Sequence, residues 1–203
     1  YLRYAVALEN KTTINWQDFE PVKPTFTGIK TFAKFDLASV AEFIDWGPFF
    51  IAWEMGGKFP DILGDKVIGK EATKLYNDAK ELLHKIITEN WLEAHGVIGF
   101  WPANSDEKDT VSILLEQDGP DEVIHLEFLR QQVKKASGQP NLSLADFIAP
   151  AESAKQDHIG AFAVTISGIE PHIKSFEAQH DDYNKIMLQA IADRLEEAFA
   201  ECM

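Results

Sequence analysis

From Glu71 to Glu89, apolar side chains return every three or four residues, at Leu75, Ala79, Leu82, Leu83, Ile86 and Ile87. At about 100° per residue this spacing gathers them on one stripe of a helix and leaves the other side charged. A helix with one apolar stripe must lay it on another element, and the following residues supply one. Gly96 to Trp101 and Thr110 to Leu115 are short β-prone runs around the polar turn Asn104 to Asp109, the pattern of a hairpin with a long loop. A second pair of β-prone runs, Val123 to Phe128 and Ile159 to Ser167, flanks a polar connection that holds Pro140 and the apolar patch Leu144 to Ile148. One long final helix is expected from about Ser175 to Glu201, with Phe176, Tyr183, Met187, Ala190, Ile191, Leu195 and Ala198 on one arc. Strands lie beside strands rather than alternating with helices. The class is therefore α+β, a mainly antiparallel sheet with flanking helices.

The N-terminal third is less regular. Asn10 to Gly28 carries Pro21, Pro24 and several Thr, and residues 1–35 read as an arm or linker that lies on the surface or wraps a neighbour. Asp36 is placed to cap a helix over Leu37 to Ile44, and Gly47-Pro48 interrupts it. Pro48 suits the first turn of a second helix, Phe49 to Met55, ended by Gly56-Gly57. Asp45 thus sits at a helix-to-helix corner.

Charge narrows the function classes. A formal net charge of −14 repels phosphate backbones, and no Lys/Arg cluster offers a counter-patch, so nucleic acid and anionic membrane are not expected partners. No apolar run is long enough to span a bilayer, and no signal-peptide pattern opens the chain. The single cysteine, Cys202, leaves no internal disulfide and fits a reducing cytoplasm. With Tyr1 first and a helical pattern still running at Met203, both ends read as cut from something longer.

Several constellations invite a chemical reading. Glu-x-x-His occurs twice, as Glu81…His84 and Glu177…His180, the motif of carboxylate-bridged metal sites in four-helix bundles. Glu81 and His84 fall opposite the apolar stripe, and strands occupy the middle of the chain, which favours an exposed charged face over metal. His180 falls on the apolar arc of the expected final helix, where a buried, hydrogen-bonded histidine is the favoured reading. No zinc spacing, phosphate loop or nucleophile elbow occurs, and no catalytic residue is evident. Asp193 and Glu197 are a turn apart at the rim of the same arc, and Arg194 lies between them. Structural pairing accounts for the three; a carboxylate at a core's rim also suits a cationic, partly apolar ligand. Asp45, beside Phe43 and Trp46, either caps the next helix or binds a cation.

Several longer strings give the chain a kinship. They include Phe43-Ile44-Asp45-Trp46-Gly47-Pro48-Phe49-Phe50, Gly57-Lys58-Phe59-Pro60-Asp61-Ile62-Leu63, and Gly96-Val97-Ile98-Gly99-Phe100-Trp101-Pro102-Ala103-Asn104. Leu129-Arg130-Gln131-Gln132, Leu144 to Pro150, Ile159 to Thr165 and Phe176 to Met187 follow in order. From about Asp36 onward the chain resembles the S-adenosylmethionine-binding reactivation domain of vitamin B12-dependent methionine synthase. The resemblance implies a C-shaped α+β domain with a twisted antiparallel sheet, the larger part of which would be residues 36–203. It implies a task as well: presenting S-adenosylmethionine for reductive methylation when the cobalamin cofactor has been oxidised to cob(II)alamin, within methionine biosynthesis. The expected partners are the cobalamin-binding domain of the same enzyme and a flavodoxin or diflavin reductase. Asp45 and Glu197 match residues that contact S-adenosylmethionine, and Asp193 is a candidate contact to the cobalamin domain. The family's Arg-x-x-x-Gly-Tyr segment has no counterpart before Met203, and Arg194, followed by Leu195 and Glu196, does not replace it. This chain alone is accordingly expected to bind the ligand weakly or not at all. The rival expectation is a docking module without ligand binding.

Overall fold

The computed structural model describes residues 1–106, 108–115 and 121–203. In chain order the elements are α1 (Tyr4–Glu9), β1 (Gly28–Phe35), α2 (Leu37–Ala41), α3 (Gly47–Ala52) and α4 (Gly69–Thr88). They continue with β2 (Glu93–Ser105), β3 (Thr110–Leu115), β4 (Glu122–Glu127), β5 (Asp157–Ser167), α5 (Ile169–Ala178) and α6 (Asp182–Cys202). The class is α+β. The sheet runs β1-β2-β3-β4, with β5 paired to β2.

Asp36 caps α2 as expected: its carboxylate accepts the N–H groups of Ala38 at 3.3 Å and Ser39 at 3.0 Å. Those hydrogen bonds satisfy donors that a helix start leaves without partners. β2 and β3 form the expected hairpin, antiparallel with Ala103 opposite Ile113 and Ser105 opposite Val111. Its turn is drawn in by Asp106, whose side chain accepts from Lys108 N and Thr110 N. Glu107, in the middle of that turn, lies outside the described residues.

The first four strands pair in chain order, and the final helix requires correction. The β-prone runs around Val123 and Ile159 are both strands: β4 lies antiparallel to β3, with Thr110 opposite Glu127, and β5 pairs with β2. A strand that follows closely in sequence closes a small loop, and that closure costs less entropy than pairing across a long connection. The long final helix is in fact two. α5 ends at Ala178, His180 adopts a left-handed φ of 57°, and Asp181 caps α6 by accepting Asn184 N at 3.0 Å. With the helix broken there, the wheel that placed His180 on the apolar arc no longer applies, and His180 is exposed rather than buried.

The chain divides into two compact units. The first comprises residues 1–30 and 98–161, the second 31–97 and 162–203. In the first, Ala103, Val111, Ile113 and Ala145 form a small core. Beside it Arg130, whose side chain is 0% exposed, donates to Asp109 Oδ1 at 2.6 Å, Asp146 Oδ1 at 2.6 Å and the Asn141 carbonyl at 2.7 Å. Residues 1–30 are tied to the rest of this unit by hydrogen bonds. Asn10 Nδ2 donates to buried Asn141 Oδ1 at 2.8 Å, Leu2 N to the Gln132 carbonyl at 2.7 Å, and Lys155 Nζ to the Phe19 carbonyl at 2.6 Å.

The second unit holds the larger core. The stripe of α4 is buried as its spacing required, at Leu75, Ala79, Leu82, Leu83 and Ile86, in one cluster with Met187, Leu188, Ile191, Leu195 and Phe199 of α6. Phe49 and Phe50 of α3 complete it. Glu81 and His84 face outward, as the wheel predicts for a solvated face. A polar contact ties α6 to α4: Tyr183 Oη donates to Asp78 Oδ2 at 2.7 Å. Partial burial, reinforced by that hydrogen bond and the carboxylate's charge, pushes the Tyr183 hydroxyl up to about 12. Because the folded chain resists this ionisation, stability is fully present below the ordinary tyrosine value of about 10 and is withdrawn as pH rises toward 12. Ultraviolet difference titration of Asp78→Asn should show the Tyr183 phenolate forming at lower pH than in the parent; an unmoved transition would detach Tyr183 from Asp78.

Candidate functional site

Asp45 stands at the corner between α2 and α3. The corner is pinned by Trp46, whose ring meets Tyr76 edge-on at 5.0 Å and Phe49 at 5.4 Å. Asp45 Oδ1 turns back to accept the Gly47 N–H at 2.8 Å. A Cβ at Gly47 would sit 3.2 Å from that same oxygen, so the bare glycine is what lets the carboxylate fold in. One oxygen is thus committed to the first N–H of α3, although the N-cap position itself is Trp46, without a side-chain cap; no protein donor reaches Oδ2 among the described residues. Asp45 is exposed.

Glu197 comes from the far end of the second unit, on the exposed side of α6 next to buried Ala198 and Phe199. Phe199 fixes this part of the helix. It is 0% exposed and its ring lies over Gly96 of β2, where an added Cβ would be 2.9 Å from Cζ. The missing side chain is what admits the ring. Phe35 of β1 packs against the same ring at 5.2 Å.

Asp45 and Glu197, distant in sequence, line one pocket of about 530 Å³ with Phe43, Phe162, Ala198, Ala200 and Glu201. Three carboxylates, two half-exposed phenyl rings and two alanines make it acidic and partly apolar. Among the described residues no Lys or Arg lines it. Such a wall attracts a cation that also carries flat or apolar surface, through carboxylate pairing and contact with ring faces. Asp193 is placed elsewhere. It lines an adjoining pocket with Val164, Arg194, Glu196, Glu197 and Ala200, so Glu197 and Ala200 belong to both walls.

Sequence reasoning names the two carboxylates but not Phe162, which comes from β5 and is 54% exposed. A large apolar side chain left open on a strand marks a contact surface, yet its facing is invisible before the strand's partners are known. Nor does it settle which acid Arg194 serves: the guanidinium holds Glu197, by Nη2 to Oε1 at 2.9 Å and Nη1 to Oε2. Among the described residues no group of three or more His, Cys, Asp or Glu is placed to hold a metal ion. Among them, too, no helix is long and apolar enough to cross a membrane.

Comparison with known proteins gives the pocket its context. The family described as vitamin B12 dependent methionine synthase, activation domain, matches residues 36–203. The chain belongs to this family. A solved crystal structure, described as the MetH reactivation domain bound to AdoHcy, superposes on this activation domain with a TM-score of 0.90 at 41% sequence identity. The match covers 98% of this chain and 61% of that one, so this activation domain chain spans about three fifths of the relative's length. The antiparallel sheet with flanking helices is thus the fold of that reactivation domain.

Proposed function

We propose that this activation domain binds S-adenosylmethionine and presents it for reductive methylation of oxidised cob(II)alamin in methionine synthase. The observation that carries the reading is the meeting of Asp45 and Glu197 in one acidic pocket flanked by Phe43 and Phe162. The residues suit the ligand. Its ammonium and sulfonium are positive, its ribose hydroxyls donate hydrogen bonds and its adenine is flat, while the pocket offers carboxylate oxygens and aromatic faces. When bound, the sulfonium supplies an activated methyl group and the reduced cobalt supplies the nucleophile, so no protein nucleophile is needed.

What the chain contributes is orientation and electrostatics. Asp45 Oδ2 is free to accept from the ligand while Oδ1 stays committed to Gly47. Glu197 places a second negative charge across the pocket, and the two phenyl rings restrict the ligand's planar part. Residues 36–203 carry this function, and residues 1–35 are the arm. Asp193, on the neighbouring wall, is assigned to contact with the cobalamin-binding domain of the same enzyme, which holds the cobalamin. The electron comes from a flavodoxin or diflavin reductase, in the cytoplasm.

Titration calorimetry with S-adenosylmethionine tests the reading on this chain and on one extended to the length of the AdoHcy-bound relative. The extended protein should bind, and this chain should bind weakly or not at all. In the extended protein Asp45→Ala and Glu197→Ala should each weaken binding by about 10- to 100-fold, the worth of a hydrogen bond to a charged group. Unchanged affinity in both variants would remove these residues from the site. Absence of binding in the extended protein as well would leave the domain a docking module for its neighbours, the role that a chain spanning 61% of the relative could still perform.

A further inference from the structure

The charge on Glu197 is already partly answered from within its own helix. Arg194 holds it with both terminal nitrogens, and the exposures of the two side chains are unequal, 14% for Arg194 and 63% for Glu197. A guanidinium whose stem is packed while its partner is open to solvent acts as the fixed member of the pair. Arg194 does not line the pocket that Asp45 shares with Glu197; it lines the adjoining one, behind the carboxylate. Asp193, its sequence neighbour, makes no ion pair with it among the described residues. Arg194 thus meets the ligand pocket only through Glu197.

We propose that Arg194 is a positioning and specificity-determining residue: by clamping Glu197 it orients that carboxylate and sets how strongly the pocket prefers a cationic sulfonium over a neutral thioether. This rests on the ligand reading above and deepens it. Two contributions are separable. The bidentate fork restricts Glu197 to one rotamer, which favours any ligand that uses it. The positive charge behind Glu197 offsets part of its attraction for a cation, which lowers discrimination between ligands that differ by one charge. S-Adenosylmethionine and S-adenosylhomocysteine are such a pair, since they share every group except the methyl that makes the sulfur a cation. A site with Arg194 in place therefore releases the demethylated product less readily, relative to substrate, than a bare carboxylate would.

The experiment measures both ligands' dissociation constants by calorimetry, in the protein extended to the relative's length, for the parent, Arg194→Gln, Arg194→Lys and Glu197→Gln, with circular dichroism to establish folding. Arg194→Gln should raise the preference for S-adenosylmethionine over S-adenosylhomocysteine by about three- to tenfold, with the gain shrinking at high salt. Arg194→Lys retains the charge without the fork, so it should keep the parent's preference while weakening both ligands. On the Glu197→Gln background, Arg194→Gln should change the preference no further, since the two act through one group. An unchanged preference in Arg194→Gln, or the same preference shift in Arg194→Lys, would overturn the proposal. Failure of the parent to bind either ligand would instead overturn the ligand reading on which it stands.

Discussion

Arg130→Ala should destabilise the chain by about 3–5 kcal/mol, the effect of leaving buried charges without their partner. Arg130, Asp109 and Asp146 have side-chain exposures of 0%, 7% and 3%, so water cannot take the guanidinium's place. Arg130 Nη1 also donates to Asp146 Oδ2 at 2.9 Å and to the Asn141 carbonyl. The hydrogen bonds it donates to Asp146, with those to Asp109, outweigh burial and raise the guanidinium above its ordinary range. The cost arises because both carboxylates would remain, facing each other in a dry site. Removing all three charges together should therefore be far milder than removing the arginine alone. Urea unfolding of Arg130→Ala and of Arg130→Met/Asp109→Asn/Asp146→Asn makes the comparison. A loss below about 1 kcal/mol in the single variant would put the cluster in the class of exposed ion pairs.

Phe199→Ala should cost a similar amount, about 3–5 kcal/mol, by opening a cavity in the second unit's core. Here the effect reaches the pocket too. Ala198 and Glu197 directly precede the ring that presses α6 onto β2, so loss of that ring loosens the wall to which they belong. Coupling with Gly96 gives the sharper test. In the parent, Gly96→Ala puts a Cβ 2.9 Å from the Phe199 ring and forces it to move. In Phe199→Ala the same methyl finds room. The double variant should then be more stable than the sum of the two single losses implies, by chemical denaturation; simple additivity would show that ring and glycine do not share the contact.

How much of this is legible in the sequence depends on the range of the interactions involved. The stripe on α4 is a local pattern, and local patterns identify helices well, so the spacing of Leu75 to Ile86 is enough to place them in the core. The cap at Asp36 and the hairpin of β2 and β3 are equally local. β1 escapes a sequence reading because it follows a segment whose prolines read as an arm, and its burial alternates too weakly to mark a strand. The break at His180 escapes it because an amphipathic arc survives on paper across a left-handed residue that only the fold reveals. Asp45 and Glu197 become candidates through family resemblance; their residue types alone leave capping and pairing as open alternatives. What no sequence pattern contains is that Phe162 stands beside them, since that depends on the pairing of β5.

The two units interleave along the chain, and this has a consequence for synthesis. Every residue of the first unit precedes residue 162, whereas the second requires 162–203 to complete its core. A ribosome delivers polypeptide in one direction, and domains condense as they emerge. The unit containing Arg130 can therefore close while α6 is still within the exit tunnel, and residues 31–97 must wait with the apolar stripe of α4 uncovered. Within residues 1–203 the acidic pocket is the last feature to assemble, so chaperone dependence should rise in that interval of translation.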